Sequence, residues 1–151
     1  MGVCTLALMI WWAIRSPEPP PPPSMPLGPG DALRAQVLGV IDGTTIQVDI
    51  EGGHERVGYL GIEPLGSHAT EANRRLVQGQ HVWLELDVPL RAGDGRLLAY
   101  VYVGNLMVNA ELVRQGYARV SPVPPNGKYA SLFQQWQREA QEAKRGLWGG
   151  R

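Results

Sequence analysis

The sequence has too few cysteines and too little net charge for several common functional classes. One cysteine excludes an internal disulfide framework and a cysteine-rich zinc site. The 14 Lys and Arg residues equal the 14 Asp and Glu residues, giving a formal net charge of zero. Bulk electrostatic attraction alone therefore cannot make the protein a polyanion binder. What is present, 151 residues of which 44% are hydrophobic, suits one domain with a real core.

A membrane-spanning length of apolar sequence is also missing near the N-terminus. The uncharged apolar run from Val3 to Ile14 is closed by Arg15, whereas a bilayer span needs about 20 residues and a signal-peptide core about 7–15. No positive residue precedes the run, and no small-residue cleavage pattern follows it. Trp11 and Trp12 fit an interfacial belt. We expect residues 1–16 to be an anchor or export signal, so that the protein is membrane-anchored or exported; a start upstream of Met1 would explain the short run.

The segment that follows, residues 17–30, is rich in proline. It reads PEPPPPPSMPLGPG and holds 8 of the 13 prolines of the chain. Such a run cannot build a helix or a sheet and favours a stiff, extended polyproline form. PxxP also occurs in ligands of SH3 domains, but any proline run contains it. We therefore interpret the segment as a spacer between the N-terminal segment and a domain over residues 31–151.

From residue 31 onward the pattern predicts an α+β domain. Asp42-Gly43 is a hairpin turn signal, and Gly52-Gly53 marks the next turn. Strands are predicted at 33–40, 45–50, 56–62, 81–86 and 97–103, and helices at 69–77, 108–115 and 128–145. Five strands with one helix inserted and two appended are compatible with a small closed barrel.

The order of these segments resembles the staphylococcal-nuclease-like, or thermonuclease, family. The resemblance covers about residues 33–149 and is carried by VIDGTTI (40–46), YLGIE (59–63), ATEANRRLVQGQHVWLELDV (69–88), DGRLLAYVYVGNLMVNAELVRQGYARV (94–120) and REAQEAKRGLWG (138–149). It implies a five-stranded Greek-key OB-fold β-barrel with three α-helices. Members cleave DNA or RNA phosphodiesters with calcium, and they are often exported or tethered.

Several catalytic positions of the family carry other residues here. The family chemistry needs oxygen ligands for calcium, a carboxylate base and two arginines. In the metal-binding turn Asp42 is retained, but Thr44 stands where the family has a carboxylate. In the signature Arg-x-x-Gly-x-Asp-x-Pro-Glu, Gly58 replaces the arginine and Glu63 the second metal carboxylate. The general base falls at Gly66 or is lost in a shortened loop.

The second family arginine is retained as Arg96, in the sequence Gly-Arg-Leu. Two interpretations stay open for it. It is either a remnant of the phosphate-binding site or the partner of a neighbouring carboxylate, for instance Glu63 or Asp42. His68 is nearby, but a lone histidine at a helix start is more often a surface or capping residue than a catalytic one.

The base-binding aromatics of the family are missing as well. The resemblance places Asp94, Pro122 and Pro124 where members have tyrosines, and stacking on an aromatic face is worth about 1–3 kcal/mol per base. Other tyrosines sit at core-like spacing, and Trp148 is expected to plug the barrel. Five further arginines could form a basic patch, but interleaved acidic residues favour a mixed, solvated surface. They are Arg74, Arg75, Arg91, Arg114 and Arg119.

These losses predict a pseudo-enzyme: a thermonuclease-like domain without most catalytic residues that binds nucleic acid or a protein partner. The N-terminal segment would hold it at a membrane or direct its export. Arg96, Asp42 and Glu63 are the remnant of the site. One alternative is a divergent calcium-dependent nuclease that hydrolyses DNA or RNA phosphodiester bonds, and a second is a structural scaffold. Calcium is expected if the protein is active, and no cofactor otherwise.

Overall fold

A computed structural model describes residues 32–121 and 127–150. The expected N-terminal segment (1–16) and spacer (17–30) lie outside the described residues, as do Pro122 and Pro124. Within the part of the chain that is described, no helix is both long and apolar enough to cross a bilayer.

The described residues form eight strands and three α-helices. In chain order these are β1 (Leu33–Asp42), β2 (Thr45–Ile50), β3 (Gly53–Tyr59), β4 (Ile62–Pro64), α1 (His68–Val77), β5 (His81–Arg91), β6 (Leu97–Val103), β7 (Leu106–Met107), α2 (Val108–Arg114), β8 (Ala118–Val120) and α3 (Ala130–Glu142). A short 3-10 helix, Gly146–Gly149, follows α3.

Five of these strands close into a barrel, as the sequence predicted. They lie in the order β3-β2-β1-β5-β6, with antiparallel neighbours. The parallel pairing of β3 with β6 then joins the two edges, from Val57 beside Leu97 to Tyr59 beside Ala99. Closure leaves none of the five as an open edge along this pairing. The α+β fold with a five-stranded barrel and three helices is confirmed.

The core lies inside the barrel and extends among the three helices that pack on it. Alternating residues such as Val82 and Leu84 point inward and are fully buried, as expected for strands with one solvent-exposed face. In α2, Asn109 is also fully buried. Its Oδ1 accepts the N–H of Val101 at 2.9 Å, and its Nδ2 donates to the carbonyl of Leu60 at 2.9 Å. This side chain fastens α2 to the barrel.

The prediction of a single strand at 56–62 is wrong, because this segment contributes to two separate strands. β3 ends at Tyr59, and β4 starts at Ile62 and pairs with β8 instead of the barrel. Between them Gly61 has φ of +77°, a conformation that side chains disfavour. A Cβ there would lie 2.9 Å from Cε2 of Phe133. The break moves Glu63 out of the barrel wall and opposite Arg119.

Two other elements end three residues or more from the predicted position. β5 runs to Arg91 instead of ending at Leu86, with a register irregularity between these two residues. α3 ends at Glu142, before the predicted 145, because Lys144 and Gly146 both have φ of +52°. Trp148 is only partly buried.

Candidate functional site

An open cleft of about 510 Å³ gathers the remnant residues at one end of the barrel. Asp42 comes from the end of β1, Glu63 from β4, and Arg96 from the residue before β6. All three line the cleft together with Thr44 and Gly58. The residues that the resemblance assigns to the site, apart from the base position, are therefore neighbours in space.

The turn that carries Asp42 is fixed from two sides. Oδ1 of Asp42 accepts the N–H of Thr44 at 2.8 Å, which closes the turn. Nδ2 of the buried Asn73 donates to the carbonyl of Asp42 at 3.0 Å, and the Tyr59 hydroxyl donates to Oδ1 of Asn73 at 2.7 Å. Burial raises the pKa of Tyr59 far above its ordinary value, so its hydroxyl stays a protonated donor. Asn73 thus positions the turn against α1 and β3.

Glu63 is already engaged by a cation. It lies opposite Arg119 in the β4–β8 pair, and the two side chains form an ion pair. Both side chains are substantially exposed. The carboxylate that the resemblance assigns to the metal site is therefore paired with an arginine in this structure.

Arg96 pairs with a carboxylate, but not with either of those expected. Its Nε donates to Oδ2 of Asp94 at 2.8 Å, and its Nη1 donates to Oγ1 of Thr45 at 3.1 Å. Hydrogen bonds from the Arg96 backbone and side chain hold the pKa of the Asp94 carboxyl below its ordinary value. The neighbouring carboxylate is Asp94, and not Glu63 or Asp42 which were named as examples, because Asp94 is two residues away in the same tight turn.

Arg91 is a cleft residue that sequence reasoning placed on a mixed surface. It lines the cleft with Arg96. Its Nη1 and Nη2 donate to the two carboxylate oxygens of Glu55 at 3.0 and 2.9 Å, and its Nη1 also donates to the carbonyl of Gly95 at 2.9 Å. The bond to Glu55 raises the pKa of Arg91 and lowers that of Glu55. No motif marked Arg91, because the strand that delivers it was expected to end at Leu86.

The position assigned to the general base lies outside the cleft. Gly66 does not line it, and its φ is +67°. A Cβ on Gly66 would lie 2.5 Å from Cδ1 of Leu147. His68, at the start of α1, is exposed and does not line the cleft either. Among the residues that the structure describes, the cleft carboxylates are Asp42 and Glu63 alone.

Comparison with known proteins now identifies the family. The family model described as staphylococcal nuclease homologue matches residues 45–150. This chain belongs to the staphylococcal nuclease family. It is 37% identical over 121 residues to the thermonuclease of Staphylococcus intermedius, covering 72% of each chain. It is 34% identical over 125 residues to the thermonuclease of Staphylococcus hyicus, covering 75% of this chain and 74% of that one.

A longer relative shares the same domain. The SPbeta prophage-derived endonuclease YokF of Bacillus subtilis (strain 168) is 37% identical over 122 residues, which cover 72% of this chain and 41% of YokF. These relatives are a thermonuclease and an endonuclease. The nuclease-like character of the domain therefore rests on both the fold and the sequence.

The donor set in the cleft of this staphylococcal nuclease homologue is poor for calcium. Calcium in proteins takes about 6–8 oxygen ligands, several of them carboxylate. Across residues 32–121 and 127–150, no three His, Cys, Asp or Glu side chains gather in a metal-binding arrangement. Asp42 uses one oxygen to close its own turn, and Glu63 is paired with Arg119. These residues do not fit the calcium site that the family resemblance implies.

The cleft does offer guanidinium groups to an anion. Arg91 and Arg96 line the same cavity and are 49% and 30% exposed. Guanidinium groups suit phosphate because their planar N–H groups match its oxygens. The cleft thus presents two partly exposed guanidinium groups to an anion, beside the carboxylates of Asp42 and Glu63.

Proposed function

We propose that this member of the staphylococcal nuclease family binds nucleic acid through the cleft without cleaving it. The observation that carries the proposal is the composition of the cleft: it holds two arginines, while the base position, Gly66, packs on Leu147. A positioned general base contributes about 10²–10⁴-fold to such a reaction. Charge stabilisation by a second arginine adds a comparable factor, and Gly58 cannot supply it.

Arg96 is the anchor of this binding. Thr45 and Asp94 hold its Nη1 and Nε, so the guanidinium has a defined direction. Within the described residues its Nη2 makes no hydrogen bond and is available to a phosphate oxygen. Because Asp94 stands where the family has a stacking tyrosine, the contacts go to the backbone and not to the bases. Such binding is tolerant of sequence and sensitive to salt.

A divergent calcium-dependent nuclease is the second candidate. It is favoured by the 37% identity with a thermonuclease and by the retention of Arg96 in the cleft. Under this hypothesis Asp42 and Glu63 would help to hold calcium, and Glu63 would first have to leave Arg119. A scaffold that binds a protein partner is the third possibility and would leave the cleft without a role.

One assay on the full chain separates these functions. A labelled single-stranded oligonucleotide is incubated with the protein and excess calcium, and both anisotropy and cleavage products are measured. We expect binding without cleavage, weakened by salt and by Arg96→Gln. Arg138→Gln, an equal charge change on the exposed face of α3 outside the cleft, should leave binding nearly unchanged. Cleavage abolished by Arg96→Gln would establish the nuclease, and no binding at low salt would favour the scaffold.

We further propose that the domain works at a membrane or outside the cytoplasm. The apolar run at 3–14 and the proline-rich segment at 17–30 support this location. The prediction is that the full chain co-sediments with membranes or is secreted in its native host. Recovery of intact full-length chain in the cytosolic fraction alone would contradict it.

A further inference from the structure

Three arginines surround the turn that joins β5 to β6, residues 92–96. Nη2 of Arg56 donates to the carbonyl of Asp94 at 3.2 Å, and Nη1 of Arg91 donates to the carbonyl of Gly95 at 2.9 Å. Arg96 lies in the turn itself and pairs with the Asp94 side chain. Three guanidinium groups and the two carboxylates of Glu55 and Asp94 leave one net positive charge there. This turn is therefore cationic although the chain is neutral overall.

Arg91 is the arginine of this group that shares the cleft with Arg96. Its side chain is 49% exposed and its partner Glu55 is 34% exposed, and exposed ion pairs are weak because water screens them. The backbone N–H of Ala92 donates to the carbonyl of Arg96 at 2.8 Å. The end of β5 and the residue before β6 are thus tied together, which keeps the two arginines at one edge of the cleft.

We propose that Arg91 is a second phosphate-binding residue, so that Arg91 and Arg96 together hold neighbouring phosphates of a nucleic-acid backbone. The family arginine on β3 is replaced by Gly58, and Arg91 brings a guanidinium to the cleft from the end of β5 instead. The inference rests on the proposed function. It deepens that function by naming the ligand class: a chain with at least two phosphodiesters, in preference to a single phosphate group.

In this arrangement Glu55 is the group that a phosphate displaces. It contacts both terminal nitrogens of Arg91, so a ligand phosphate competes for the same donors. Removing the Glu55 charge should therefore strengthen binding. If Arg91 merely braced the turn through the Gly95 carbonyl, losing Glu55 would loosen Arg91 and weaken binding. Because the loss of any acidic charge favours binding of a polyanion, the reference is Glu142→Gln, an equal charge change on the exposed face of α3 outside the cleft. A phosphate-binding Arg91 predicts tighter binding by Glu55→Gln than by Glu142→Gln, and a bracing Arg91 predicts weaker binding.

The test measures binding of the full chain to labelled oligothymidylate over a salt series, without calcium. Each phosphate contact to a single strand adds about 0.7 to the slope of log affinity against log salt. We expect Arg91→Gln to weaken binding and lower that slope by about 0.7, whereas Glu55→Gln binds more tightly. Arg91→Lys should recover the slope because it keeps the charge. Binding by Glu55→Gln that is no tighter than binding by Glu142→Gln would overturn the proposal.

The outcomes also separate this inference from the function on which it rests. If wild-type protein does not bind oligothymidylate at low salt, both the proposed function and the role of Arg91 are contradicted. If it binds and Arg96→Gln weakens it, but Arg91→Gln has the same affinity and slope as the control Arg138→Gln, only the role of Arg91 falls. The comparison of Glu55→Gln with Glu142→Gln remains decisive if Arg91→Gln fails to fold.

Discussion

Leu147 occupies the space that a side chain on Gly66 would need. Its Cδ1 lies 2.5 Å from the position of a Cβ on Gly66, a separation that real Cβ atoms do not show. Gly66 also has φ of +67°, which costs a residue with a Cβ about 1–2 kcal/mol. The 3-10 helix at Gly146–Gly149 thus packs on the loop between β4 and α1. At the position that the resemblance assigns to the general base, a larger side chain therefore has to displace Leu147.

Gly66→Glu should therefore destabilise the domain without producing a nuclease. The new side chain must displace Leu147 and adopt a strained backbone, and we expect a loss of about 2–4 kcal/mol in unfolding free energy. Urea unfolding and an oligonucleotide cleavage assay with calcium measure the two effects. Gly66→Ala is the control, since it carries the strain without the carboxylate. Calcium-dependent cleavage by a Gly66→Glu variant of wild-type stability would contradict this account.

Gly58→Arg should strengthen nucleic-acid binding and still give no cleavage. A Cβ on Gly58 would lie 3.1 Å from Nη1 of Arg96 and 3.3 Å from Cδ2 of Leu98, so a side chain at position 58 enters the cleft beside Arg96. The contact is tight and the two cations repel, which predicts a small loss of stability. One more phosphate contact should steepen the salt slope by about 0.7.

The matched control is Gly58→Gln, which has a long polar side chain but no charge. It should leave the salt slope at the wild-type value. Efficient cleavage by Gly58→Arg alone would show that the missing arginine, and not the missing base, inactivates the site.

The barrel and the grouping of Asp42, Glu63 and Arg96 could be predicted from the sequence. The long-range ion pairs around the cleft could not. Alternation and turn residues report local structure, and a family motif reports which positions converge. Neither reports ion pairs between side chains far apart in sequence, such as Glu63 with Arg119 or Arg91 with Glu55. Those pairs depend on strand register. A break at Gly61 and an extension of β5 to Arg91 decided that register here.

Asn73→Ala should lower the unfolding free energy of the domain by about 1–3 kcal/mol and weaken oligonucleotide binding in the cleft. Asn73 is fully buried, and its loss leaves the Tyr59 hydroxyl without its acceptor and the Asp42 carbonyl without its donor. Urea unfolding tests the stability, and oligonucleotide anisotropy tests the cleft. Asn73→Asp should cost at least as much, because it buries a carboxylate with one oxygen facing the Asp42 carbonyl. If Asn73→Ala unfolds at the wild-type urea midpoint, this network is not structural.

Glu85 should matter for stability and not for nucleic-acid binding. It is a buried carboxylate in β5 that accepts hydrogen bonds from the hydroxyls of Tyr102 and Tyr129, each at 2.9 Å, and pairs with Lys128. Glu85→Ala leaves the buried Tyr102 hydroxyl without its acceptor and should lower the unfolding free energy by about 1–3 kcal/mol. Glu85→Gln keeps an acceptor and should cost less.

Thermal or urea unfolding ranks these two Glu85 variants. Oligonucleotide affinity of the folded fraction should equal that of wild type for both, because Glu85 does not line the cleft. A lower affinity in Glu85→Gln at unchanged stability would place this cluster in the binding site.

Alkaline pH should unfold the domain above about pH 10, with tyrosine ionisation and unfolding in one transition. Burial is the main cause that raises the pKa of Tyr59, Tyr100 and Tyr102 above the ordinary 10.0. The folded state therefore keeps protons that the unfolded chain releases above that pH, so stability falls as pH rises. The Glu85 carboxylate raises the pKa of Lys128 above 10.5, so its contribution is also complete below that value and lost above it. Phenolate absorbance and far-ultraviolet circular dichroism should change together; ionisation of all five tyrosines with the native dichroism intact would refute the prediction.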